Sequence, residues 1–168
     1  KAKALQKCED GRVMGKIVGA CPDQMTNDTI AKAETKLSGT ITKACCGKDK
    51  SCTGIGDDAA LSSIGWNIGT CTNSENGSCT NTIGTAADIA VCVGCVSKAA
   101  VNQAIQLYYG ALYPANPKGT KQEKALNKCQ RAIGKSAVTF LIAKSKALQK
   151  CWSTVSNGKA VGACPAAD

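Results

Sequence analysis

PKGTKQEKALNKCQRAIGKSAVTFLIAKSKALQKCWSTVS, residues 117–156, decides the fold. Pro117 stands where a helix-start proline belongs, since its missing N–H is not needed in a first turn. After it, Leu126, Cys129, Ile133, Ala137, Phe140 with its neighbour Leu141, Leu148, Cys151 and Val155 keep to three- and four-residue spacing, with lysines between them. That periodicity predicts one long amphipathic helix. Cys129 and Cys151 fall nearly on one face, but at the rise of a helix they are about 33 Å apart. They can bond to each other only if the helix breaks, for which Gly134 is the candidate.

The same stretch contains an internal repeat. Lys146-Ala147-Leu148-Gln149-Lys150-Cys151 repeats Lys3-Ala4-Leu5-Gln6-Lys7-Cys8 word for word. The match continues in register with Gly15-Lys16 against Gly158-Lys159, and Val18-Gly19-Ala20-Cys21-Pro22 against Val161-Gly162-Ala163-Cys164-Pro165. A partial echo lies at Lys124-Ala125-Leu126-Asn127-Lys128-Cys129. The chain therefore begins and ends on equivalent modules, 1–24 and 144–168, as one period plus an overlap of a tandem array does, or a domain closed by two matching end pieces. Cys8 to Cys21 and Cys151 to Cys164 are then helix-to-loop staples of identical spacing, with Gly-Lys supplying each turn.

Outward from the repeat, a second helix is expected from about Asn27 to Cys46, capped at Asn27 or Asp28, with Ile30, Leu37 and Ile41 inward. A third is expected from Thr85 to about Leu112, carrying Ile89, Cys92, Val96, Ala100 and Ile105. Between them, residues 47–84 form a loop-rich insert of Gly, Ser, Thr and Asn with Cys52, Cys71 and Cys79, and a short helix after Asp57-Asp58, before Gly65-Trp66. Alanine is abundant and β-branched alternation sparse, so strands are a minor prospect. The expected fold is all-α: a single disulfide-stapled helical bundle over 1–168.

The 168 residues include 12 cysteines, an even number, and no histidine. Cys8, Cys21, Cys45, Cys46, Cys52, Cys71, Cys79, Cys92, Cys95, Cys129, Cys151 and Cys164 read as disulfide partners formed in an oxidising compartment. Without histidine there is no Ser-His-Asp or Cys-His catalytic set, no Cys₂His₂ zinc site and no C-x-x-C-H haem attachment. A single C-x-x-C, Cys92 to Cys95, is too little for zinc. As a redox dithiol it would sit several residues inside a helix among Ile89, Val91, Val93 and Val96, so two structural half-cystines are expected instead. Cys45 and Cys46 could bond to each other as a strained switch, although neighbouring cysteines more often take different partners. The chain starts at Lys1 without a leader, which reads as a mature product or a piece of something longer. Asn27 and Asn76 head glycosylation sequons.

Charge is unevenly spread. Residues 1–50 carry +4, residues 51–97 carry −4 with no Lys or Arg, and residues 98–168 carry +9, which sums to the whole chain's +9. Nucleic acid is not the expected partner: all but Arg12 and Arg131 of the 21 basic residues are lysines, and aromatics make up 4% of the chain, so both the bidentate base-reading group and the stacking platforms are scarce. No apolar run reaches the roughly 18 residues of a membrane span. Asp57-Asp58 could hold calcium but lacks the D-x-D-x-D-G loop and reads as a helix cap. Among Glu9, Glu34, Glu75 and Glu123 nothing selects a catalytic pair. Tyr108, Tyr109 and Tyr113 gather half of the aromatics at one helix end, as a plug around a turn or an interface anchor. No catalytic residue, cofactor, metal ligand or small-molecule substrate is indicated.

Lys128-Cys129-Gln130, Ile133-Gly134-Lys135, the Cys45–Cys52 stretch, Ile64-Gly65-Trp66 and Asp88-Ile89-Ala90 with Cys92 and Cys95-Val96 together resemble uncharacterised cysteine-rich secreted repeat proteins of environmental bacteria. The resemblance implies export from the cytoplasm, tandem modules and structural cysteines. The expectation is a non-enzymatic extracellular or cell-surface structural protein whose partners are copies of itself, joined head to tail into a filament or array, or a module of a tandem-repeat surface protein. The alternative is a secreted cationic effector or inhibitor acting on a membrane or a protein target, with the tyrosine patch as its contact.

Overall fold

Four helices carry the fold: α1 (Ala2–Val13), α2 (Gln24–Cys45), α3 (Ala86–Tyr109) and α4 (Lys121–Ser156). They are seen in a computed structural model that describes residues 1–53, 55–72, 78–111 and 119–164. There are no strands among the described residues, only isolated bridges between Cys46 and Asp58 and between Thr70 and Thr82. The molecule is all-α and disulfide-stapled.

Each of the last three helices starts where a side chain satisfies its orphan N–H groups. Asp23 accepts from the Thr26 amide at 2.8 Å, so α2 begins one turn before the expected cap at Asn27 or Asp28. Thr85 and Asp88 form a reciprocal capping box on α3, and Thr120 and Glu123 form another on α4. Such caps are worth about 1 kcal/mol each. Pro117 lies outside the described residues. α3 ends at Tyr109, short of the expected Leu112.

α4 runs unbroken through Gly134, as the long-helix reading expected. A Cβ there would lie 2.1 Å from the ring carbon Cζ of Tyr109 and from its hydroxyl, so the glycine is required by the close approach of α3's last turn. The expected helix after Asp57-Asp58 is replaced by turns closed by Ser63 N–H to Ala60 O and Trp66 N–H to Leu61 O.

Two apolar clusters form. One, at the loop end, joins Cys46, Cys71, Cys79, Ile83, Ala86, Ile89 and Cys92, flanked by Ile41, Cys45, Leu61 and Trp66. The other joins Leu5, Ile30, Ile105, Tyr109 and Val138, with Val101 and Ile142 packed against it. Tyr109 meets Gly134, and further along Val101 and Ile142 line one groove, so α3 and α4 run antiparallel. The loop-end cluster therefore sits at the opposite end of α3 from the turn of α4 that holds Gly134.

Among the described residues one helix, α3, is long and apolar enough to cross a membrane, with mean hydropathy 1.2 over its best window. Length and composition alone give this, and the core helix of a bundle passes the same test. In this fold α3 contacts all three other helices. Its Cys92 and Cys95 are bonded to the polar insert, through Cys71 and Cys79.

Candidate functional site

The two end modules fold alike. Cys8–Cys21 and Cys151–Cys164 bridge at Cα separations of 5.9 and 5.8 Å across the same 13 residues. Each helix gives way to a glycine of positive φ, Gly15 at 65° and Gly158 at 67°, and each hook turns again at Gly19 (110°) and Gly162 (131°). The closing hydrogen bonds correspond as well. Gly15 N–H to Arg12 O matches Gly158 N–H to Val155 O, both 2.9 Å, and Lys16 N–H to Gly11 O matches Lys159 N–H to Thr154 O. Both hooks end in a valine, Val18 and Val161, wholly exposed to solvent. Where the copies differ, volume is exchanged: Gly11 lies against Ile17 in the first, while the second has Thr154 and Ala160 at those places. The packing environments are opposite. Gln6, Glu9 and Asp10 of the first copy are buried, while their counterparts Gln149, Trp152 and Ser153 are exposed.

Ten cysteines pair as Cys8–Cys21, Cys46–Cys52, Cys71–Cys92, Cys79–Cys95 and Cys151–Cys164. Five intramolecular bonds point to an oxidising environment. Cys92 and Cys95 are structural half-cystines bonded to different partners rather than a redox dithiol. Cys45 and Cys129 correct the expectation that all twelve are bonded: both are free, Cys45 half-buried and Cys129 exposed. Cys45 does not pair with Cys46 because Cys46 turns inward to close a short ring with Cys52, six residues on.

The tyrosines are not a shared outward patch. Tyr109 is 4% exposed, and its hydroxyl donates to Asp10 Oδ1 at 3.0 Å. Gln6 donates to the other oxygen of Asp10, and Arg12 pairs with Glu9 at 2.8 Å. Burial, and then the Asp10 charge, push the Tyr109 phenol well above its ordinary value. Tyr108 is half-buried against the second cluster, and Tyr113 lies outside the described residues. The Tyr109 ring is therefore taken up by the core, while part of Tyr108 still faces solvent.

Asp57 and Asp58 are joined by Asp49, and one carboxylate oxygen from each lies within 4.8 Å of the others. Sequence reasoning missed Asp49; its place inside the Cys46–Cys52 ring was the available signal. Asp57 accepts from the Lys48 amide at 2.9 Å and Asp49 from the Ser51 amide at 2.8 Å, so both tie the ring down. The glutamates are dispersed: Glu9 serves Arg12, Glu34 pairs with Lys98 at 2.8 Å, Glu123 caps α4, and Glu75 lies outside the described residues. A shallow groove of about 360 Å³ between α1, α2 and α3 is lined by Lys1, Glu34, Leu37, Gly94, Lys98 and Val101. At its edge Lys1 donates to the Lys98 carbonyl, and burial, then the Lys98 charge, lower the Lys1 pKa.

The larger unfilled surface is the outer side of α4. Leu126, Ile133 and Phe140, one heptad apart, are all exposed, and Cys129 lies between them. They lie about a third of a turn round the helix from the packed residues Asn127, Gly134 and Val138. This helix carries eight basic residues and one acidic one. The insert is also incompletely covered: its Ile55, Ile64 and Ile68 are exposed. Comparison with family models, curated proteins and solved structures finds no match.

Proposed function

We propose that this chain is an extracytoplasmic structural module that joins copies of itself head to tail. The observation that carries the reading is the duplicated end module: the same helix and hook, with the same caps and staple, packed into the bundle at one end and largely uncovered at the other. A chain whose two ends are interchangeable presents a surface that other copies of the same sequence already know how to pack. A contact of that kind is heterologous and does not close, which generates an open array rather than a ring of two. The charge plan supports the same reading, with an acidic 51–97 and a basic 98–168 available to neighbouring copies. Five cross-links suit a load-bearing part exposed outside the cytoplasm, and secretion follows from this reading.

Sedimentation velocity over a wide concentration range at low salt tests it. The expected result is a weight-average mass that keeps rising with concentration and falls back when salt is added. A monomer at every concentration and salt overturns it.

A further inference from the structure

The two thiols left over by the five disulfides are at opposite ends of the molecule. Cys45 closes α2 and packs in the loop-end cluster with Ile89 and Cys92. Cys129 lies on α4 beyond Gly134, which is level with Tyr109 at the other end of α3. Cys92 to Tyr109 alone is about 26 Å of helix. Disulfide partners require Cα atoms within roughly 7 Å, so these two cannot meet in one chain.

Their surroundings are complementary. Cys129 lies among the exposed Leu126, Ile133 and Phe140 on a helix of eight basic residues and one acidic residue. Beside Cys45, whose carbonyl accepts from the Ala59 amide, the carboxylates of Asp49, Asp57 and Asp58 gather within 4.8 Å of one another. Asp57 and Asp58 belong to the segment 51–97, which has no Lys or Arg and a net charge of −4. Two α4 faces brought together would instead set +7 against +7, which rules against pairing of like surfaces. The occupant that fits the outer face of α4 is the loop end of a second copy.

We infer that successive copies are locked by an intermolecular disulfide between Cys129 of one chain and Cys45 of the next. This rests on the head-to-tail reading and adds its covalent bond. The thiolate of exposed Cys129 attacks a small-molecule disulfide of the oxidising compartment, releasing one thiol and leaving a mixed disulfide. The Cys45 thiolate of the docked copy then attacks the Cys129 sulfur, expels the second small thiol and closes the protein–protein bond. Two protein thiols are oxidised and one small disulfide is reduced, with the two protons passing to the released thiols.

The test is oxidation of the purified full chain with glutathione disulfide, read by non-reducing electrophoresis and by mass spectrometry of digests from a mixture of ordinary and ¹⁵N-labelled chains. The expected result is a ladder of oligomers and a Cys45–Cys129 peptide pair of mixed isotopic mass. Cys45→Ser and Cys129→Ser should each abolish the ladder, while mixing the two variants should give a dimer and nothing longer. Lys128→Glu with Lys135→Glu should slow cross-linking by roughly tenfold at low salt. A Cys129–Cys129 dimer from the Cys45→Ser variant, or no mixed-isotope pair, overturns the inference. The failure is separable from that of the proposed function: if the serine variants still gain mass with concentration in the centrifuge, head-to-tail association stands and only its covalent lock is lost.

Discussion

Replacing Gly134 by alanine should destabilise the bundle, whereas the same change at Gly39 should stabilise it. Both glycines sit inside long helices, so each exchange gains about 1 kcal/mol of helix propensity. At Gly39, exposed on α2, a Cβ meets nothing within 4 Å, and the gain is kept. At Gly134 a Cβ falls 2.1 Å from the Tyr109 ring, which is buried and held through its hydroxyl by Asp10. Forcing the ring aside costs about 2 kcal/mol of overpacking. Losing a hydrogen bond to a charged acceptor costs about 2 kcal/mol more. The net loss is about 3 kcal/mol. For a chain of this size each kcal/mol moves the melting temperature by about 3 °C. Circular dichroism at 222 nm, with the disulfides intact, should show Gly134→Ala melting about 9 °C below the parent and Gly39→Ala about 3 °C above it. A Gly134→Ala protein as stable as the Gly39→Ala one refutes the packing of α3's last turn on α4.

Removing the two equivalent staples should have unequal effects. Each closes a loop of the same length, worth about 3 kcal/mol in the unfolded chain. Cys8→Ser with Cys21→Ser should lower global stability by about that amount in urea denaturation. Cys151→Ser with Cys164→Ser should leave the bundle's transition nearly in place, because the second hook can open without it; equal losses contradict the difference in packing. The Tyr109 phenol titrates above its unfolded value, so its contribution is complete below about pH 10 and is lost as pH rises through the raised pKa. Stability should therefore fall on the alkaline side, and Tyr109→Phe should flatten that fall; an unchanged alkaline limb in the variant refutes the assignment. Asp88 is held below the usual carboxylate range, first by the Thr85 hydroxyl and then by the Gly84 amide. Its stabilising effect is present above about pH 4 and lost as pH falls through the lowered pKa. Asp88→Ala should cost about 1 kcal/mol at neutral pH and much less in acid, measured by urea denaturation at both.

The helices were legible because their signals are local. The three- and four-residue spacing from Leu126 to Val155 is read within one or two turns, whereas the equally local Thr85–Asp88 and Thr120–Glu123 boxes went unread. The staples at the two ends were legible through duplication, since one spacing occurring twice demands one explanation. What was not legible depends on contacts distant in sequence. Gly134 reads only as a candidate break until Tyr109 is placed beside it. Tyr108 and Tyr109 read equally as a plug around a turn or as interface anchors until Asp10, 99 residues away, accepts the second hydroxyl. The even cysteine total suggested complete pairing, yet parity cannot tell five bonds and two thiols from six bonds. The gathering of Asp49 with Asp57 and Asp58 depends on the fold of the Cys46–Cys52 ring, which no periodicity announces.

The claim that equivalent ends build an open array is tested most directly by negative-stain electron microscopy of the native material, taken from outside the cell without reduction. The account requires unbranched fibres or sheets with one regular axial spacing, dispersed to particles of single-chain size by high salt with a reductant. Isolated particles of about 17 kDa in the untreated native material would contradict it.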